Sequence, residues 1–249
     1  MATTRQIGSY NYGIAVSSGA ISGTLQFEKF GKNPDLDSGV REDLWGVGGT
    51  WVQPTAATTY NFTSSSASDI TGGVGARTIT ITGLNGSYNE VTETIATNGT
   101  STTTTANSYF IIHKAVVATA GTSATNVGNI TSVANFGGTP VGISIIAEKG
   151  ASQMCIYQVP VGYTLYIDEF DAGSQTAVAC DIEFYVKPFG GVFNLTGDLA
   201  LGNNGNSSRV KTYETPLKIS QKSIIKLTAL TDTNNCEVHG SFSGILVAN

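Results

Sequence analysis

Three observations predict an all-β chain. Charged residues make up only 12% of the 249, about half the usual share of roughly 25%, so the outer faces of long solvated helices have little to be built from. Polarity comes instead from Thr, Ser, Asn and 30 Gly, residues that suit strands and tight turns. Apolar side chains also recur with period two, separated by turn signals every eight to twelve residues or so, as in a sandwich or barrel. The expected architecture is two antiparallel β-sandwich domains, Ig-like or jelly-roll-like, preceded by an extended N-terminal arm. Boundaries fall at 1–50 for the arm, 51–149 for the first domain and 150–249 for the second, with a loop near Glu148 to Gly150.

The arm holds two strand-like stretches, Tyr12 to Val16 and Thr24 to Phe30, then a turn cluster from Gly31 to Gly39 around Pro34. It has too little apolar material for a core of its own and is expected to pack on something else. In the first domain the sharpest signal is Thr78-Ile79-Thr80-Ile81-Thr82, which puts Ile79 and Ile81 on one face and threonines on the other. Asn85-Gly86 then predicts a tight hairpin, since Asn-Gly accepts positive φ. The return strand runs from Tyr88 to Ala96, with Val91, Glu93 and Ile95 on one face, and ends at Asn98-Gly99. Tyr109 to Thr119 is apolar on both faces and reads as a central strand.

In the second domain, Met154 to Val159 leads through Pro160-Val161-Gly162 to a strand from Tyr163 to Phe170. Cys180 to Val186 alternates cleanly, with Cys180, Ile182, Phe184 and Val186 facing one way. Further strands are expected at Val192 to Leu195, Arg209 to Glu214, Ser223 to Thr231 and Glu237 to Val247. In the last of these, Val238, Phe242 and Leu246 share a face with Gly240 and Gly244. There is no repeat of fixed period.

Net charge is −5 and the isoelectric point about 5.0. With no run of Lys or Arg to displace counterions from a polyanion, no nucleic-acid partner is expected. No stretch approaches the roughly 18 apolar residues of a membrane span, and Met1 to Tyr10 does not resemble a signal peptide, so no membrane partner is expected and folding is assigned to a cytosol. The N-x-S/T triplets beginning at Asn61, Asn85, Asn98, Asn129, Asn194 and Asn206 then reflect composition. Cys155, Cys180 and Cys236 are widely spaced, form no CxxC pair, and read as small buried thiols left unpaired by a reducing compartment. With two His, they do not make a zinc pattern.

Gly72-Gly73-Val74-Gly75 is followed by a threonine-rich strand, not the helix a phosphate loop needs, and reads as a turn. Asn33, Asp35 and Asp37, with Glu42, alternate as oxygen ligands do in a calcium loop. Ser38 and Leu44, however, occupy the places that need Gly and a bidentate Glu. A chain-reversing loop whose Asp side chains bond local amides is favoured, and no metal is assigned. His113 alternates with Ile111 and Ala115 as an interior imidazole, while His239 shares the Ser241 and Ser243 face of its strand. Neither accompanies a nucleophile motif. Asp168, Glu169 and Asp171 lie at a strand end with no aromatic groove signal around them. Trp45 and Trp51 flank a glycine-rich turn, where covering a sandwich edge is more ordinary than stacking on a sugar. No enzyme activity and no cofactor are expected. The candidate interaction residues are Asn33, Asp35, Asp37, Glu42, Trp45 and Trp51.

Several blocks, in order, carry a family resemblance: Phe30-Gly31-Lys32-Asn33-Pro34-Asp35-Leu36-Asp37, Glu42-Asp43-Leu44-Trp45, Gly75-Ala76-Arg77-Thr78-Ile79 and Glu90-Val91-Thr92-Glu93-Thr94. Ala120-Gly121-Thr122 through Gly128-Asn129-Ile130-Thr131 and Tyr157-Gln158-Val159-Pro160-Val161-Gly162-Tyr163 complete the set. Over roughly the central half of the chain, they resemble a family of structural proteins of marine and cyanobacterial tailed bacteriophages. The resemblance implies a virion protein, with no active site to carry over. The missing fibre repeat favours a capsid-exterior decoration or cement protein over a tail, neck or fibre component such as a host-glycan-binding adhesin. Expected partners are further copies of the chain, as a homotrimer, and other virion proteins such as the major capsid protein. The N-terminal arm is expected to make those contacts.

Overall fold

The computed structural model describes residues 12–135, 141–175, 178–202 and 207–249. The described residues are all-β, apart from a short helix at 12–17. In chain order the strands are β1 (Thr24–Leu36), β2 (Glu42–Asp43), β3 (Tyr60–Ser64), β4 (Ala76–Leu84), β5 (Glu90–Ala96) and β6 (Thr103–Thr104). Next come β7 (Ile111–Ala120), β8 (Ile130–Ala134), β9 (Val141–Ile145), β10 (Ile156–Gln158) and β11 (Tyr163–Ser174). The last are β12 (Cys180–Lys187), β13 (Asn194–Leu201), β14 (Ser207–Ile219), β15 (Ile224–Thr231) and β16 (Cys236–Ala248).

They form small antiparallel sheets. One has the order β1-β16-β11-β14, and another β10-β15-β12-β13 with β2 added to β15. These two sheets share one apolar core, which includes Phe27, Leu36, Leu44, Tyr157, Phe170, Phe184 and Phe242. Its centre is aromatic: the Phe170 and Phe184 rings stack at 5.2 Å, and Phe242 meets Phe184 at 5.7 Å and Phe27 at 5.9 Å. Strand β16 shows why the sequence folds this way. Every second residue, from Cys236 through Val238, Gly240, Phe242 and Gly244 to Leu246, is buried, as period-two alternation requires of a central strand.

The other two sheets, β6-β3-β8-β9 and β5-β4-β7, enclose a second core that includes Tyr60, Phe62, Ile79, Ile81, Ile111 and Ile143. Ile79 and Ile81 are fully buried, as the alternation predicts. On the opposite face the threonines pair across strands, Thr78 with Thr119, Thr80 with Thr94 and Thr82 with Thr92.

Three short crossing segments weld the cores together. Leu44 enters the first core and its neighbour Trp45 the second. Cys155 and Tyr157 point into the first core, Met154 and Ile156 into the second, and the same division holds for Ile225 and Ile224. A strand buried on both faces has one side chain for each core at alternate positions. The crossing is tight. The amide of Cys155 donates to the Leu44 carbonyl at 2.8 Å and that of Met154 to the Phe30 carbonyl at 2.9 Å. A Cβ on Gly31 would lie 2.3 Å from the Cys155 nitrogen, so only glycine fits there.

Several expectations need correction. Residues 24–43 are not an arm but integral to the sheets of the chain's last hundred residues. β1 pairs with β16 from Thr24↔Val247 to Leu36↔Cys236, and β2 pairs with β15. The apolar material that looked too sparse for a core completes one supplied by the other end of the chain. Residues 1–11 of the expected arm lie outside the described residues. Tyr12 to Val16, read as a strand, lies in the short helix. The turn cluster from Gly31 begins later, because β1 continues to Leu36 through an irregularity after Asn33. Strand β7 is an edge strand, not a central one. Residues 150–152 run along its free edge, with the Val117 amide donating to the Gly150 carbonyl and the Ser152 amide to that of Ala115. In the hairpin it is Tyr88, not the Asn-Gly pair, that takes positive φ (64°). The Asn85 Oδ1 accepts the amides of Ser87 and Asn89, so a longer loop with a left-handed residue before the return strand replaces the two-residue turn.

Candidate functional site

The six candidate residues divide into a buried group and an exposed pair. Glu42 is the hub of the buried group. Its Oε1 accepts the Asp37 amide at 2.9 Å, while its Oε2 accepts Asn33 Nδ2 at 2.8 Å and the Gly49 amide at 2.6 Å. Asn33 also donates to the Asp43 carbonyl at 3.2 Å and accepts the Asp35 amide at 3.0 Å. Asp35 and Asp37 are exposed and contribute main-chain amides to this cage. Both Glu42 oxygens are therefore taken up by N–H donors, so Glu42 and Asn33 serve as a loop clamp, and no group of metal-ligating side chains occurs among the described residues. Trp45 and Trp51 are buried in the second core, with Trp45 Nε1 donating to the Gly49 carbonyl at 3.1 Å.

Sequence reading missed Asp43, the next residue along. It is fully buried, accepts the Trp51 amide at 2.7 Å, and meets Lys226 Nζ at 2.7 Å. Burial raises its pKa, and the Lys226 ammonium opposes that shift. Together Glu42 and Asp43 pin the loop after β2 at Gly49 and Trp51. Beside it lies a groove of about 520 Å³ lined by Trp45, Val47, Val52, Pro54 and Val141, in which Val47 and Val52 are 39% and 62% exposed.

A second polar cluster lies where the two cores meet. Lys29 donates to the His113 carbonyl, and burial pulls its pKa down to about 8. His113 is the interior imidazole the sequence predicts. Its Nε2 lies 3.5 Å from Glu90 Oε2, and its ring packs 4.8 Å from that of Tyr157. Burial lowers its pKa against the pull of Glu90. All three thiols are free and buried, and burial pushes Cys180 up to about 12. His239 lies against the Phe30 ring at 6.4 Å. Asp168 and Asp171 each accept a serine hydroxyl from β16, Ser243 and Ser241 respectively. These contacts are cross-strand pairs on one sheet, a structural use of the acids.

No family model and no curated protein matches the chain. Among solved structures, it is similar to chains of infectious bursal disease virus. For the Gt strain the identity is 13%, covering 90% of this chain and 72% of that one, with a TM-score of 0.19. For the Gx strain the identity is 9%, the coverage 90% and 71%, and the TM-score 0.22. Scores that low mean the chains do not superpose as one fold.

Proposed function

We propose that the chain is a structural component of a tailed-phage virion: a capsid-exterior decoration or cement protein, acting as a homotrimer against the major capsid protein. Its two cores are read as two β-sandwiches, Ig-like or jelly-roll-like, that work without catalysis or a cofactor and fold in the host cytoplasm. The observation that carries the reading is the groove at Val47 and Val52. Glu42 and Asp43 fix its backbone from beneath, and exposed apolar side chains on a rigid loop are what a subunit contact buries. The sequence blocks that resemble those of phage structural proteins include the residues that build this clamp, from Asn33 to Trp45.

Cryo-electron microscopy of the intact particle is the direct test and is expected to place threefold density on the head. Recombinant protein is expected to sediment as a trimer. Val47→Asp combined with Val52→Asp is expected to give a monomer with an unchanged circular dichroism spectrum. Particle images with the protein only on the tail would replace the head assignment with a tail, neck or fibre one. A double variant that still assembles would remove the groove from the interface.

A further inference from the structure

Two residues with left-handed backbones bring their side chains to one cavity. Tyr88 and Lys222 both have φ of 64°, and they are two of only five non-glycine residues with positive φ among the described residues. Such a backbone is disfavoured for L-residues and persists only where its surroundings enforce it. Here the enforcing contacts come from one segment. The Lys222 amide donates to the Val159 carbonyl at 2.7 Å, the Lys222 carbonyl accepts Gln158 Nε2 at 2.9 Å, and the Tyr88 carbonyl accepts the Val161 amide at 2.9 Å.

The consequence is an aromatic corner with an ammonium over it. Tyr88 and Phe189 meet edge to face, 5.5 Å apart at 83°, and Lys222 Nζ lies 5.1 Å from the first ring and 5.0 Å from the second. Phe189 is 59% exposed, although an aromatic ring of that size is usually covered. These residues line a cavity of about 290 Å³, with Lys187, Gln53 and Gln158 in its wall. Lys187 Nζ donates to Gln53 Oε1 at 2.7 Å. Among the described residues, neither Lys187 nor Lys222 is paired with a carboxylate. Gln158 is also incomplete: its amide nitrogen is used, and its buried oxygen has no donor in the protein. Both ammonium groups lie over aromatic rings, Lys187 over Phe193 at 5.6 Å and Lys222 over Tyr88 and Phe189.

We propose that this cavity binds a carboxylated sugar residue of an acidic polysaccharide. The carboxylate meets the Lys187 and Lys222 ammonium groups, the C–H face of the ring packs on Tyr88 and Phe189, and hydroxyls bond the Gln53 amide. A bare inorganic anion would make no use of the two rings, and a neutral sugar would leave both cations unpaired. A densely charged nucleic acid meets only two cations on an acidic protein, too few for a phosphate-tracking surface.

The test is calorimetric titration of the full-length protein with oligogalacturonate, with maltotetraose as the neutral control and acetate as the charge-only control. Oligogalacturonate is expected to bind at least about tenfold more tightly than either control. Phe189→Ala, an exposed change, and Lys187→Gln, on strand β12, are each expected to lower that affinity about tenfold at an unchanged melting temperature. Lys222→Ala should do the same if it folds, and the other two variants keep the test decisive if it does not. No binding of oligogalacturonate, equal binding of acetate or maltotetraose, or full affinity in both Phe189→Ala and Lys187→Gln would each overturn the assignment.

Discussion

The two cores are stabilised in different ways, and two buried aspartates show the difference. Asp69, in the region between β3 and β9, takes four hydrogen bonds. The amides of Ala76 and Val127 donate to its Oδ1 at 2.8 Å, and Ser64 Oγ and the Gly128 amide donate to its Oδ2 at 2.6 and 2.8 Å. Burial pushes its pKa up, but these four donors outweigh burial and hold the carboxyl below its usual value. Asp43, beside the other core, has one amide and one ammonium, and there burial prevails. The sheets around Asp69, the first region in chain order, are contiguous in sequence from β3 to β9, and their loops are tied by polar contacts. The second is closed by pairing opposite ends of the chain, and its stability rests on long strands and a large aromatic core. A contiguous region pays its loop-closure entropy in short steps, whereas joining β1 to β16 closes a loop of about two hundred residues, at a cost that grows only logarithmically.

The sharpest way to break the comparison is to remove residues 1–44. An arm would be dispensable for folding. Strands β1 and β2 are not, because their loss exposes the β16 edge and strips Phe27, Leu36 and Leu44 from the core they share with Phe242. The truncated protein is expected to lose the cooperative unfolding of residues 150–249 altogether, seen as rapid limited proteolysis of that half and loss of its calorimetric transition. A truncation melting within a few degrees of the full chain would mean that β1 is peripheral.

Next in size is Asp69→Ala, which leaves four donors without their acceptor in a buried setting. At ~1–3 kcal/mol for each buried polar group left unpaired, discounted for relaxation, the expected loss is about 4 kcal/mol, confined to the first region. The pH dependence has a definite sign. A carboxyl held low in the folded state contributes stability above its unfolded pKa of about 3.9 and loses it as pH falls through the lower folded value. Asp43, held high, works in the opposite direction: its contribution is largest in acid and fades as pH rises through its folded pKa. Acid titration followed by residue-resolved hydrogen exchange should therefore open the region around Asp69 before the seam at Asp43. Simultaneous opening would contradict the division.

Much of this was legible in the sequence, because alternation is a local signal. Ile79 and Ile81, Cys180, Ile182 and Phe184, and Val238, Phe242 and Leu246 face inward as read. Pairing between chain ends is not local, and nothing in Thr24 to Leu36 marks Cys236 to Ala248 as its partner. The same limit applies to the candidate site. Asn33, Glu42, Trp45 and Trp51 were found as a constellation, but whether an acid faces solvent or accepts buried amides depends on which loop packs over it. Tyr88 and Lys222 were out of reach for a related reason: a non-glycine residue with positive φ leaves no mark in composition, and the two are brought together by a third segment, 158–161.

A middle-sized effect separates clamp from ligand site at Glu42. Glu42→Gln keeps the side-chain volume but turns one of the two acceptor oxygens into a donor facing N–H groups of Asp37, Asn33 or Gly49. About 2 kcal/mol of stability should be lost, measured by urea titration. Added calcium should restore none of it in the wild type or the variant, since both wild-type oxygens are already occupied by donors. A calcium-dependent rise in the midpoint of the wild type would reinstate a cation site there.

The smallest effect tests whether the threonine face of β4 contributes stability or only solubility. Thr80 and Thr94 lie directly opposite one another with their hydroxyls 2.8 Å apart, both solvent-facing. Cross-strand pairs of this kind contribute roughly 0.2–1 kcal/mol relative to alanine, and water competes for exposed hydroxyls. The expected coupling is therefore about 0.3 kcal/mol, read from a double-mutant cycle of Thr80→Ala and Thr94→Ala. β-Branching matters separately, because valine keeps the strand preference of threonine and removes only the hydroxyl. Replacing both residues with valine should leave the melting temperature unchanged or slightly raised. A loss in the double valine variant as large as in the double alanine variant would show that the hydroxyl pair itself holds β4 to β5. The threonine ladder would then join Asp69 among the polar ties of the first region.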